Sequence, residues 1–394
     1  MVLESNQTAV AFLPPQDKSW MGGVNYYCNL FQALTNVSDS NFDLLAIVGT
    51  KTPLDIIALY EQFNVKVIKV SVLDRFSFEW FIDRASWALF GKRFILDAIL
   101  KRYKVNLISH VQCDMGVSCR QVGWVPDFQH LHLPQMFSKD EIKNRDKSFM
   151  SVASKADVVI LSSYDALNDF SSFSPEFFSK GRVAQFVSQP PSFYSELSEK
   201  EYSDLVDKYS IDRPYIYVPN QFWRHKNHQL LLEAIFKSKQ QGVSPLVLCS
   251  GLMEDYRDSS YVDSLIKYVK NNDLSDNVKF LGLIPYKDVF SLIKFSLLVL
   301  NPSKFEGWSS TVEECKSVGK MMILSDISVH KEQYPQANFF NVNSSDSLAN
   351  VIAKAVRGEL SEHSASIKSV EERTQDYASV CMEIYSTVVN GPSM

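Results

Sequence analysis

Leu297-Leu298-Val299-Leu300-Asn301-Pro302-Ser303-Lys304-Phe305-Glu306-Gly307-Trp308-Ser309-Ser310-Thr311-Val312-Glu313-Glu314 reads as a buried strand, a short loop holding one carboxylate, and the start of a helix. An unbroken apolar run suits a strand covered on both faces. Ser310 with Glu313 three positions on fits a capping box, which places the N-cap at Ser310 and gives Glu313 a structural task. Glu314 is then left free. A strand that feeds a helix through a short loop is half of a βαβ unit, and a chain of such units builds a parallel sheet.

The same alternation extends in both directions. Towards the N-terminus, strands are expected at Thr8–Leu13, Leu44–Gly49, Val65–Val70, Asn106–Val111, Val122–Val125, Asp157–Leu161 and Val183–Val187, followed by a break at Gln189-Pro190-Pro191-Ser192. Beyond the break they are expected at Tyr215–Val218, Leu246–Ser250, Val278–Leu283, Ser296–Leu300, Met321–Ser325 and Phe339–Val342, with helical stretches between them. From about Val370 to Val389, Tyr377, Val380, Cys381, Ile384, Tyr385 and Val388 share one face of a closing helix. The fold class is α/β, with two Rossmann-like doubly wound domains. We expect an N-terminal domain over 1–190, a C-terminal domain over 205–375, and a helix over 376–394 that packs back toward the first. A chain of 394 residues, 45% hydrophobic, is long enough for two such cores.

Composition excludes some functions. A net charge of -5 gives no global basic field, which argues against a nucleic-acid partner. No apolar run is long enough to span a membrane, and Met1–Thr8 lacks the features of a secretion signal, so a cytoplasmic location is expected. The six cysteines show no zinc spacing and are expected to be reduced. A nicotinamide oxidoreductase would require a Gly-x-Gly-x-x-Gly turn after a strand, and the chain has none.

Ligands of doubly wound folds sit at the carboxyl ends of the strands, here in a cleft expected between the two domains. The helix start after Glu306 offers unpaired N–H groups, from Trp308, Ser309, Ser310 and Thr311, to a diphosphate. Glu306 and Glu314 would repel that anion, so they make sense as acceptors for sugar and ribose hydroxyls on either side of it. The run Glu306-x7-Glu314 after a strand resembles the signature of glycosyltransferase family 4, whose members are retaining enzymes of the GT-B fold. The resemblance implies that Glu306 contacts the donor sugar and that Glu314 holds the ribose.

Tyr215–Ile235 reads as strand, polar turn and helix, and it resembles the same family's donor-phosphate segment, with Lys226 matching the usual lysine. Gln221 stands where that family has an arginine, and Arg224 is the candidate substitute. Gly22-Gly23, after the first strand, is similar to the family's N-terminal glycine loop, where a bare backbone can approach a phosphate. Asp127 and His130 match a variant of the family's His-Asp motif and are assigned to sugar or acceptor contact, with Pro126 replacing the usual histidine. Ile284, after a strand, is expected near the donor base. His132 is left unassigned.

Phe76, Phe78, Trp80, Phe81, Trp87, Phe90 and Phe94 lie among Arg75, Arg84, Lys92, Arg93, Lys101 and Arg102. The favoured reading is a helix pair packing its aromatic residues into the first domain. The other is a peripheral contact with an anionic membrane at its inner face, reaching a lipid-linked acceptor.

The resemblance therefore implies a retaining glycosyltransferase. It would move a hexose-type sugar from a nucleotide-diphosphate sugar to a hydroxyl of a glycan or lipid-linked acceptor, in cell-surface polysaccharide or lipopolysaccharide biosynthesis. No Asp-x-Asp motif occurs, so no metal and no cofactor are expected. The alternatives are a nucleotide-sugar epimerase of the same fold and a non-catalytic GT-B partner subunit.

Overall fold

Runs such as Leu298–Asn301 and Tyr215–Val218 are buried along their whole length, as parallel strands with helices on both faces must be. The computed structural model describes residues 8–17, 21–36, 42–360 and 367–391. Two units divide the chain: residues 1–187 with 369–394, and residues 188–368.

The first unit carries β1 (Thr8–Phe12), β2 (Phe42–Val48), β3 (Lys66–Lys69), β4 (Val105–Val111), β5 (Arg120–Val125), β6 (Val158–Leu161) and β7 (Gly181–Val183). They form one parallel sheet in the order β3-β2-β1-β4-β5-β6-β7. The second unit carries β8 (Tyr215–Val218), β9 (Leu246–Ser250), β10 (Val278–Gly282), β11 (Leu298–Asn301), β12 (Met322–Ser325) and β13 (Asn338–Phe340). Their order, β10-β9-β8-β11-β12-β13, repeats the pattern of the first sheet. Both are doubly wound, and in each the winding reverses beside the unit's first strand, at β1/β4 and at β8/β11.

All thirteen expected strands are present, with one displaced. β7 starts two residues before the predicted Val183 and ends there, because β6 stops at Leu161 and leaves only Ala184 N–H to pair, with Leu161 O at 2.9 Å. The closing helix runs Val370–Asn390 and is set by a capping box between Ser369 and Glu372. It belongs to the first unit from Ser369 onward. Its buried face includes Tyr377, whose hydroxyl lies 3.2 Å from that of Tyr26, and Tyr385, which accepts a hydrogen bond from Ser109 Oγ at 3.1 Å.

Two local expectations are corrected. Gly22 and Gly23 lie in the first turn of the Met21–Thr35 helix, not in a loop, and Lys18–Trp20 fall outside the described residues. The aromatic residues of the Phe78–Phe90 helix do not pack inward. Its buried side chains are Asp83 and Ser86, while Phe78, Phe81, Ile82, Trp87, Leu89 and Phe90 are exposed. The inner face is polar because it caps the next helix, Phe94–Arg102. Asp83 accepts from Ile95 N at 2.9 Å, Leu96 N at 3.1 Å and Arg93 Nε at 2.6 Å, and Ser86 Oγ donates to Lys92 O at 2.8 Å.

Candidate functional site

β8 and β11 lie side by side, and the loops that leave their carboxyl ends converge at the reversal point of the second sheet. Asn301, the last residue of β11, ties them together. Its Oδ1 accepts from Asn220 Nδ2 at 3.3 Å and Ser303 Oγ at 2.6 Å, and its Nδ2 lies 3.2 Å from Ser309 Oγ and 3.4 Å from Glu306 Oε1. Lys304 N–H donates to His225 O at 2.8 Å, which pins the second loop onto the first. Asn227, left-handed at φ 60°, ends the turn that carries Lys226 and starts the His228–Gln240 helix.

Lys226 and Glu306 meet in this frame, with Nζ and Oε1 2.6 Å apart and side chains only 14% and 9% exposed. Burial opposes the charge of Glu306, but the Lys226 ammonium, with smaller help from His330 and His225, holds its carboxyl down to about 2. The site thus keeps an ionised carboxylate at neutral pH, paired with Lys226.

The helix beside them runs Ser310–Ser317, and its N-cap is Ser309, one residue before the expected Ser310. Ser309 takes this place because both ends of its peptide are held by Gln333, which accepts from Ser309 N–H at 3.0 Å and donates to Ser309 O at 2.8 Å. Glu313 therefore makes no capping box. It is buried, 3.2 Å from Gln333 Nε2 and 3.5 Å from Lys316 Nζ. Gln333 removes the Ser309 N–H from the expected donors. Ser310 and Thr311 stand in the first turn, where N–H groups have no partner within the helix.

Glu314 lies one turn along the same helix, half-buried, and burial pushes its carboxyl up to about 7. A carboxyl raised in the folded state favours folding below its ordinary value of 4.5, and that advantage is lost as pH rises through about 7. Glu314→Gln is expected to flatten the fall in stability between these limits and to be the more stable protein at pH 8, by on the order of 1–3 kcal/mol. Urea midpoints measured across that range check the slope; equal slopes in both proteins would remove the buried acid.

Other predicted residues are placed elsewhere. The guanidinium of Arg224 pairs with Asp258 and lies over the Tyr261 ring at 5.8 Å, so Lys226 is the cation joined to Glu306. Trp308 is half-buried in the loop before the helix, and Ile284 is half-buried just beyond β10, packed against the second unit's core.

In the first unit, Asp127 is paired with Arg145 at 2.6 Å. His130 is 1% exposed among Phe128, Phe137, Phe149 and Phe173. Its Nε2 faces Asp146 at 3.0 Å, its Nδ1 receives Arg145 Nε at 3.3 Å, and burial, then Arg145, lowers its pKa. That is the setting of a packed, neutral histidine.

In the first unit a 730 Å³ pocket lies past the ends of β1, β2, β3 and β4, lined in part by Gln16, Lys51, Thr52, Asp74, Arg75 and His110. Asp127, His130, Gly22 and Gly23 do not line it. Thr52 Oγ1 is buried there without a partner. His110, left-handed at φ 61°, bonds Tyr26 at 2.8 Å, and burial lowers its pKa to about 3.

Sequence reading missed Asn301, His330, Gln333 and His110. For Asn301 and His110 the available signal was a polar residue at the carboxyl end of an otherwise apolar strand; His330 and Gln333, on the Ser328–Gln333 helix, carried no such local signal.

Comparison with known proteins places this architecture in a class. The glycosyltransferase from Rickettsia africae aligns over 98% of this chain and 100% of its own, at 15% identity and a TM-score of 0.67. Anabaena Alr3699/HepE, solved with UDP and glucose, aligns over 98% and 97%, at 16% identity and a TM-score of 0.65. The lipopolysaccharide outer core galactosyltransferase WaaB aligns over 97% and 99%, at 15% identity and a TM-score of 0.56. The chain has the two-domain α/β fold of these GT-B glycosyltransferases. More narrowly, residues 205–372 match the family Glycosyl transferases group 1, a span that holds Lys226, Glu306 and Glu314. None of the curated proteins matches the sequence.

Proposed function

We propose that the protein is a retaining glycosyltransferase that moves a hexose-type sugar from a nucleotide-diphosphate sugar to a hydroxyl of a glycan or lipid-linked acceptor. The observation that carries this reading is the Lys226–Glu306 pair, 2.6 Å apart at the strand reversal and next to a helix N-terminus. A diphosphate competes with Glu306 for the ammonium and takes the N–H groups of Ser310 and Thr311. Glu306, already ionised, then accepts hydroxyls of the donor sugar, and Glu314 those of the ribose. Lys226 and the helix dipole stabilise the departing diphosphate, so the reading asks for no metal. The acceptor hydroxyl attacks from the face the diphosphate leaves, and the anomeric configuration is retained. The acceptor is assigned to the first unit's pocket, where Lys51, Asp74 and Thr52 offer polar contacts.

UDP-glucose is the first donor to offer, since the Anabaena neighbour is seen with UDP and glucose. The test is product analysis by NMR with and without glycan acceptors. Transfer with retained configuration supports the proposal, and an inverted first product defeats it. Release of an epimerised sugar nucleotide without acceptor identifies an epimerase, and donor binding without turnover identifies a non-catalytic partner.

A further inference from the structure

The Phe78–Phe90 helix is turned inside out. Of the large hydrophobic side chains exposed among the described residues, Phe76, Phe78, Phe81, Ile82, Trp87, Leu89, Phe90 and Phe94 fall in one short span, with Phe78 76% and Leu89 75% exposed. Phe78, Phe81, Ile82, Ala85 and Leu89 recur at helical spacing and make one exposed stripe, while Asp83 and Ser86 to one side of it are buried. A helix whose polar face is consumed by capping its neighbour, and whose apolar face is bare, has no apolar partner among the described residues and presents a surface for an outside one.

The rim indicates which partner. Residues 75–104 hold seven basic and three acidic side chains, a local charge of +4 in a chain of net charge -5. Of the three acids, Asp83 is neutralised by Arg93 and Asp97 by Lys101. Arg84 lies 5.6 Å from the Trp80 ring and 5.9 Å from that of Trp87, and Arg75 lies 4.8 Å from that of Phe76, so apolar surface and cation are presented together. A second copy would bring two basic rims together. Anionic headgroups above a hydrocarbon layer match both features.

We infer that the Phe78–Phe90 helix lies on an anionic lipid bilayer, with Phe78, Phe81, Ile82 and Leu89 in the acyl boundary and Arg75, Arg84, Lys92 and Arg102 at the headgroups. Among the described residues no helix is long and apolar enough to cross a membrane, and this one rests on the surface. Arg75 also lines the first unit's pocket, so docking brings that pocket to the lipid surface. The inference stands whether or not the protein transfers sugar.

Flotation of the full chain with phosphatidylcholine vesicles, with and without phosphatidylglycerol, tests it. Binding is expected only with phosphatidylglycerol and is expected to weaken with salt. Phe78→Ser with Leu89→Ser is expected to lower it by at least about tenfold, as loss of two buried apolar side chains should. Arg84→Glu with Lys92→Glu is expected to do the same and to remove the salt dependence. All four side chains are exposed, so thermal unfolding should be unchanged. No flotation with anionic vesicles, or binding that survives both pairs of changes, overturns the inference. So does a concentration-dependent dimer abolished by the serine pair, which would give this face to a second copy.

Discussion

Glu306→Gln is expected to lower the turnover of sugar transfer by about a hundred- to a thousandfold, with the fold intact. The amide keeps the size of the side chain and loses only the charge, and removal of one preorganised electrostatic contact typically costs that much. The charge is present to be lost because Lys226, 2.6 Å away, keeps the carboxyl ionised against its burial. Lys226 remains in the variant without its competitor, so UDP is expected to bind at least as tightly as before. Initial rates together with calorimetric UDP titration separate the two effects. A variant that keeps more than about a tenth of native turnover takes Glu306 out of the chemistry.

Lys226→Ala is expected to act on binding and stability together. Loss of a charged hydrogen-bond donor to the diphosphate should weaken UDP binding by about ten- to a hundredfold. Glu306 is then a buried carboxylate without its cation, which costs about 3–5 kcal/mol of folding stability. The sign with pH follows from the lowered pKa. In the native protein the contribution of Glu306 is fully present above its ordinary value of 4.5 and is lost as pH falls through about 2. Lys226→Ala should lose that acid-side dependence. Adding Glu306→Gln to Lys226→Ala should recover much of the stability and none of the UDP affinity, and this non-additivity is the signature of a direct pair. Strictly additive stability losses would place the two residues in separate roles.

How far the site was legible depended on the range of the interaction. The strand Leu298–Asn301, the loop with Glu306 and the helix carrying Glu314 could be read because apolar runs, loop residues and helix starts act over a few residues. The N-cap was misplaced by one because two serines in succession have equal local claims. Gln333, far along the chain, holds Ser309 and breaks the tie. Arg224 and His130 have the side chains that anion or sugar binding would need, but Asp258 occupies the first and a cage of phenylalanines encloses the second. The span around Phe78 was read inward because phenylalanine is usually buried. Asp83 reversed it by reaching the N–H groups of Ile95 and Leu96.

Local sequence alone determined the alternation of strands and helices, the two parallel sheets, and the strand ends at which polar residues gather. Hydrophobic periodicity and turn chemistry are short-range properties that every segment carries with it. Tertiary structure decided which of those polar residues act together: Lys226 on Glu306, Gln333 on Ser309, and Asp83 on the Phe94–Arg102 helix. Whether a charge is paired, and at what pH it titrates, depends on groups brought within a few ångströms by packing, and separation along the chain does not encode that distance.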